Sequence, residues 1–113
     1  MITIYHNPRC QKSREGLQLL ESTGEEIQVI KYLEEVPTVS ELTKIIKTLG
    51  IAPIELVRTK EEIWKEHYKN KKLSDPEIIR AMVDNPRLIE RPIVIKDNKA
   101  VIGRPLENIK AIL

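Results

Sequence analysis

The chain has 113 residues, with Lys plus Arg at 19 and Asp plus Glu at 17, for a formal net charge of +2. That length suits one domain, and the charge gives no overall basic field of the kind nucleic-acid binders carry. A composition 41% hydrophobic and 32% charged belongs to a globular protein with a packed core, and excludes disordered and fibrous classes. The single cysteine, Cys10, rules out an internal disulfide and a multi-thiolate zinc site, and His6 and His67 stand at no metal-ligand spacing. No apolar signal stretch and no run of membrane-spanning length is present, which with the cysteine usage leads us to expect a cytoplasmic protein.

Ile2-Thr3-Ile4-Tyr5 alternates apolar and polar residues and predicts a strand, broken by the turn chemistry of His6-Asn7-Pro8. Leu17, Leu19 and Leu20 predict a helix over about 13–23, closed by Gly24. Gly16 lies inside it at a cost of about 1 kcal/mol relative to Ala. Ile27 to Tyr32 predicts a second strand, and so short a β-α-β unit places its strands parallel.

The period then changes. Thr38-x-x-Glu41 is a capping box, followed by Leu42, Ile45, Ile46 and Leu49 on one helical face, and Gly50 stops the helix. Glu61 to about Tyr68 predicts a charged, exposed helical segment. Ser74-x-x-Glu77 with Pro76 opens a helix through Val83 that Asn85-Pro86 ends. Ile93 to Lys96 and Ala100 to Ile102, joined by Asp97-Asn98-Lys99, predict a hairpin. Leu106, Ile109 and Ile112 predict a final amphipathic helix. The order is β-α-β, a helical block, then β-β-α. We therefore expect one α/β domain over 1–113 with a thioredoxin-like fold and a four-stranded mixed sheet, its core formed by 1–33 and 89–113, with a helical insertion at about 34–88. No apolar helix face is left unexplained, and a monomer is expected.

Cys10 falls where the first strand hands over to the first helix, a position where free backbone N–H groups and the helix dipole favour an anion. Arg9, Lys12 and Arg14 crowd the same loop, and residues 1–14 contain no acidic side chain. Such surroundings lower a thiol pKa from near 8.5 to roughly 3.5–7.5. Taken alone, a lone cysteine is usually a small buried hydrophobe; the loop makes a nucleophile of it. His6, four residues before, either favours the thiolate by charge or hydrogen bond or simply satisfies local backbone groups. Ser13, at Cys-x-x-Ser spacing, either donates to the thiolate or an oxyanion or caps the helix.

His6-Asn7-Pro8-Arg9-Cys10-Gln11-Lys12-Ser13-Arg14 resembles the H-N-P-x-C-x-x-S-R signature of the ArsC family of glutaredoxin-coupled arsenate reductases. The resemblance continues through Leu56-Val57-Arg58-Thr59-Lys60, Glu90-Arg91-Pro92-Ile93-Val94 and Ile102-Gly103-Arg104-Pro105, covers essentially the whole chain, and is closest to the short YfgD-type branch. It implies Cys10 as nucleophile, with His6 and Ser13 in the catalytic loop and Arg58, Arg91 and Arg104 binding the oxyanion. Guanidinium forks suit that task, because each grips two oxygens of a tetrahedral anion at once. The resemblance also implies a cis bond at Arg91-Pro92, and glutathione and glutaredoxin as thiol partners, with no tightly bound cofactor. Reducing arsenate to arsenite takes two electrons and hence two thiols, and this chain owns one; another must come from outside.

Other readings are a thiol oxidoreductase acting on another substrate, and a Spx-type regulator that binds RNA polymerase. Such regulators typically carry a Cys-x-x-Cys switch, which Cys10-x-x-Ser13 cannot form. A monothiol glutaredoxin would carry Gly-Phe where this chain has Gln11-Lys12. Lys69, Lys71 and Lys72 read as a solvated face, since no aromatic platform interleaves them and no nucleic-acid partner is expected. Trp64 and Tyr68, at i and i+4, read as packing surface.

Overall fold

The computed structural model describes residues 1–113. The chain divides into two units, one built from Met1–Glu35 and Arg91–Leu113 and the other from Val36–Glu90.

In the first unit, β1 (Ile2–His6) runs parallel to β2 (Ile27–Lys31) and antiparallel to β3 (Ile93–Lys96), which pairs antiparallel with β4 (Lys99–Ile102). The strand order is β2-β1-β3-β4. Helix α1 (Gln11–Glu21) connects the two parallel strands, and a single helical turn, α5 (Glu107–Lys110), follows β4. This four-stranded mixed sheet with its β-α-β and β-β-α halves is a thioredoxin-like fold. Strand periodicity sorts β1 into a buried set, Ile2, Ile4 and His6, and a half-buried set, Thr3 and Tyr5. Ile2 and Ile4 form the core with Val94 of β3, Leu20 of α1 and Ile109 of α5, and Leu17, Ile27 and Val101 pack around them. His6 therefore shares its side of the strand with the residues that meet α1.

Several boundaries differ from the sequence expectation. Helix α1 starts two residues early, because its N-cap is Cys10 itself, and it ends at Glu21; Gly24 takes a left-handed φ of 75° three residues beyond. The terminal helix is shorter than its apolar spacing predicts: Ile109 is fully buried, yet only Glu107–Lys110 is helical and the chain continues in turns. The hairpin turn is tighter than read, with Lys99 already in β4 and Asp97 at a φ of 55°. The Arg91-Pro92 bond is cis as expected, and so is Arg104-Pro105, which the sequence reading did not anticipate.

The second unit contains α2 (Val39–Leu49), α3 (Glu62–His67) and α4 (Asp75–Asp84), with short 3-10 turns at Pro53–Leu56 and Pro86–Leu88. Both capping boxes form: Thr38 Oγ1 accepts from Glu41 N–H and Ser74 Oγ accepts from Glu77 N–H, with each glutamate reaching back to the cap's N–H. Gly50 ends α2 at a φ of 70°. The segment around α3 is not simply an exposed face. Trp64 is buried and stacks on Tyr68 at 5.4 Å, and the Tyr68 hydroxyl accepts from Asn85 at 3.1 Å. Two glycine-free turns and the stretches around them make this unit less uniformly helical than expected. No helix of the protein is long and apolar enough to cross a membrane.

The tight packing beneath the cysteine loop gives Gly16 and Gly103 their reason. A Cβ on Gly103 would lie 2.8 Å from Pro92 Cγ and 2.8 Å from Ile109 Cδ1, and one on Gly16 would lie 3.1 Å from the same two atoms. We expect Gly103→Ala to cost about 1–3 kcal/mol in a urea melt, because the proline ring cannot yield. Gly16→Ala should fall well below that, since its milder contact is offset by about 1 kcal/mol of helix propensity.

Candidate active site

The loop between β1 and α1 is held by its own residues. Asn7 Oδ1 accepts from Arg9 N–H at 3.0 Å, and Asn7 O accepts from Cys10 N–H at 3.0 Å, closing the turn that delivers Cys10 to the start of the helix. Arg14, one turn into α1, donates from Nη1 to Pro8 O at 2.9 Å and ties the turn to the helix. Sequence reasoning assigned Asn7 no task, although the Asn-Pro dipeptide was an available signal, and it read Arg14 as a charge on the thiol and not as a tie to the turn.

Ser13 is fully buried, and its Oγ accepts from Asn7 N–H at 3.0 Å and lies 2.6 Å from His6 Nδ1. It does not cap the helix, for α1 has no side-chain cap bond. The short Nδ1–Oγ contact fixes the imidazole against the first turn of the helix. Burial, then the positive charges of Lys31 and Arg14, hold His6 below its ordinary value against the opposing pull of a hydrogen bond with the Ser13 backbone and of Glu21. His6 thus bonds to Ser13 rather than to the sulfur, and it is Ser13's backbone N–H that hydrogen-bonds Cys10.

Cys10 is buried, at 8% exposure. Burial opposes its ionisation, and this is more than overcome by a hydrogen bond from the Arg91 side chain, then by Ser13 N–H, then by the charges of Arg91 and Arg104; the thiol is held below its ordinary value. Arg104 Nη2 lies 3.2 Å from Cys10 Sγ while its Nε donates to Arg91 O at 2.8 Å. Asn108 of α5 steadies the base of this arm by donating to Arg104 O and Ile102 O, at 3.0 and 3.1 Å. The cations acting on the sulfur are therefore not the loop cations stressed by the sequence. Lys12 sits 3.8 Å from Glu15, Arg14 holds Pro8, and Arg9 is exposed.

His6, Cys10, Ser13, Arg91 and Arg104 all belong to the first unit, and the structure gathers them at one loop. Arg58 belongs to the second unit. There its N–H donates to Leu88 O at 2.7 Å beside the Val57–Ile89 bridge, and its Nη1 is buried without a hydrogen-bond partner. No group of three His, Cys, Asp or Glu side chains is disposed to hold a metal ion. What the site offers chemically is a thiolate flanked by guanidinium donors, suited to an anion that reacts with sulfur.

Fold and loop together define a thioredoxin-like protein with one activated cysteine at the N-terminus of its first helix. The profile of the ArsC family matches residues 5–112, and the chain belongs to that family. It is 47% identical to the arsenate reductase of Neisseria meningitidis serogroup A, over 99% of this chain and 97% of that protein. It is likewise 47% identical to the uncharacterized protein YfgD of Escherichia coli K12, over 99% of this chain and 96% of the other. Among solved structures, the arsenate reductase of Vibrio cholerae superposes with a TM-score of 0.94 at 47% identity, covering 99% of this chain and 97% of that one.

Ultraviolet titration of the Cys10 thiolate should give a midpoint below that of an ordinary thiol, and Arg91→Ala or Arg104→Ala should raise it. The folded state prefers the thiolate more than the unfolded chain does. This contribution to stability is thus full above the unfolded thiol pKa and is lost as pH falls through the folded one. Urea melts across that range should show the slope in the wild type and not in Cys10→Ser.

Proposed function

We propose that the protein reduces arsenate to arsenite, with Cys10 as nucleophile, glutathione as second thiol and glutaredoxin as the agent that restores the cysteine. The observation that carries this reading is the 3.2 Å contact between Arg104 Nη2 and the buried Cys10 Sγ. It joins the thiolate to a guanidinium fork of the kind that grips tetrahedral oxyanions. The names of the Neisseria meningitidis and Vibrio cholerae relatives support the same chemistry.

Arsenate binds through Arg91, Arg104 and Arg58, whose unpartnered buried nitrogen suits an anionic oxygen. The Cys10 thiolate forms a bond to arsenic as one arsenate oxygen leaves as water. The glutathione thiolate then attacks Cys10 Sγ; a disulfide bond forms as the sulfur–arsenic bond breaks, and its electron pair stays on arsenic, which passes from As(V) to As(III). Arsenic takes up the glutathione proton and departs as arsenous acid, and glutaredoxin reduces the mixed disulfide. The arginines act by preorganised charge around the developing oxyanion. His6 and Ser13 act by fixing the loop, so that Ser13 N–H stays aimed at the sulfur. No resident cofactor is needed for this sequence, in which the protein works in the cytoplasm as a monomer.

The test is arsenate-dependent oxidation of NADPH in a mixture coupled through glutathione reductase, glutathione and glutaredoxin. Wild type should turn over and Cys10→Ser should not. Arg58→Ala, Arg91→Ala and Arg104→Ala should each lower kcat/KM by about 100-fold or more. No turnover by the wild type would overturn arsenate reduction, and turnover by Cys10→Ser would overturn the nucleophile.

A further inference from the structure

The parallel pairing of β1 with β2 sets His6 beside Lys31 in register, so both strands leave the sheet at the same end. One continues into Asn7-Pro8 and the cysteine turn; the other bends away, where Glu34 and Glu35 N–H both donate to Lys31 O, at 3.0 and 2.8 Å. Between the diverging segments lies a cleft of about 300 Å³, lined by His6, Pro8 and Arg9 on one side and Lys31, Leu33 and Glu34 on the other. A crevice outside the carboxyl ends of parallel strands is where ligands commonly bind in α/β sheets.

Its chemistry is specific. Pro8 and Leu33 supply apolar surface, while Arg9, Lys31 and Glu34 are charged and exposed, and none of the three is engaged in an ion pair. His6 is buried and lines the cleft, its Nδ1 held 2.6 Å from Ser13 Oγ. The three charged groups sum to +1, two cations and one anion. The complement is a small molecule with two carboxylates and one ammonium, of net charge −1, and an apolar stretch between them. Asn7, Pro8 and Arg9 of the lining belong to the turn that carries Cys10, so the cleft abuts the loop of the nucleophile.

We propose that this cleft seats the second thiol of the reaction: a short zwitterionic peptide thiol, with carboxylates on Lys31 and Arg9 and an ammonium on Glu34. This inference rests on the reading that Cys10 hands its adduct to an external thiol. The step is the one already balanced, attack on Cys10 Sγ with disulfide formation and release of arsenic in its reduced state.

The experiment uses S-methylglutathione, which has the charges of glutathione and no free thiol, titrated into Cys10→Ser protein and followed by amide shifts in NMR spectra. Saturable shifts should map to His6, Arg9 and residues 31–34. Masking both carboxylates as methyl esters should abolish them, and Lys31→Glu should weaken binding at least about tenfold, with the remaining spectrum keeping its native dispersion. Shifts that map away from these residues, or equal binding by the Lys31→Glu variant and by the ester, would overturn the proposal. Because the probe neither reacts nor competes with arsenate, this outcome leaves arsenate reduction standing. Conversely, absence of turnover in the coupled assay removes that reaction without altering where the probe binds.

Discussion

A buried sulfur with a guanidinium on it is the constraint around which the first unit is arranged. Burial resists a thiolate, so its ionisation depends on donors that are already in position before any ligand arrives. Arg104 is aimed by its own bond to Arg91 O and steadied from below by Asn108, and Arg91 bonds the same sulfur. These arms stand on Pro92 and Gly103, linked by the bond from Gly103 N–H to Pro92 O at 2.8 Å. The absence of side chains at Gly16 and Gly103 lets helix, proline and α5 close on one another without moving those arms.

The opposite wall of the site is a problem of orientation. Period-two alternation along β1 puts His6 on the core side with Ile2 and Ile4, where the next element to pack is α1. The histidine then meets Ser13, and the serine also receives Asn7 N–H. One hydroxyl thereby joins the end of the strand, the turn and the first turn of the helix. The helix begins at Cys10 without a side-chain cap, so these buried bonds substitute for the cap in holding the N-terminus in place.

Local features of the chain were the most legible in the sequence. The capping boxes at Thr38 and Ser74, the glycine at 50, the proline stop after Asn85 and the alternation in β1 are each decided within a few residues, and each appears in the structure. The parallel pairing of β1 with β2 and the hairpin of β3 with β4 followed from connection lengths. Less legible was whatever depends on distant chain. The final helix looked longer because apolar spacing reports burial of Leu106, Ile109 and Ile112, and turns can bury those residues as well as a helix can. The buried, stacked Trp64 was hidden in a segment whose charged neighbours signalled exposure. At the site, counting charges near Cys10 pointed to Arg9, Lys12 and Arg14, whereas the groups on the sulfur are Arg91 and Arg104. Family motifs identified those arginines; charge counting along the chain had no means of doing so. The cleft at the end of β2 left no local mark, because strand register creates it.

The Arg104 contact bridges 94 positions of sequence, with the entire second unit translated in between. During synthesis the cysteine emerges well before its guanidinium partners, and domains complete their folding as the chain appears. Until Arg91 and Arg104 have been made, Cys10 lacks the guanidinium contacts that favour its ionisation. Full activation of the sulfur is thus a property of the folded first unit and not of the cysteine loop by itself.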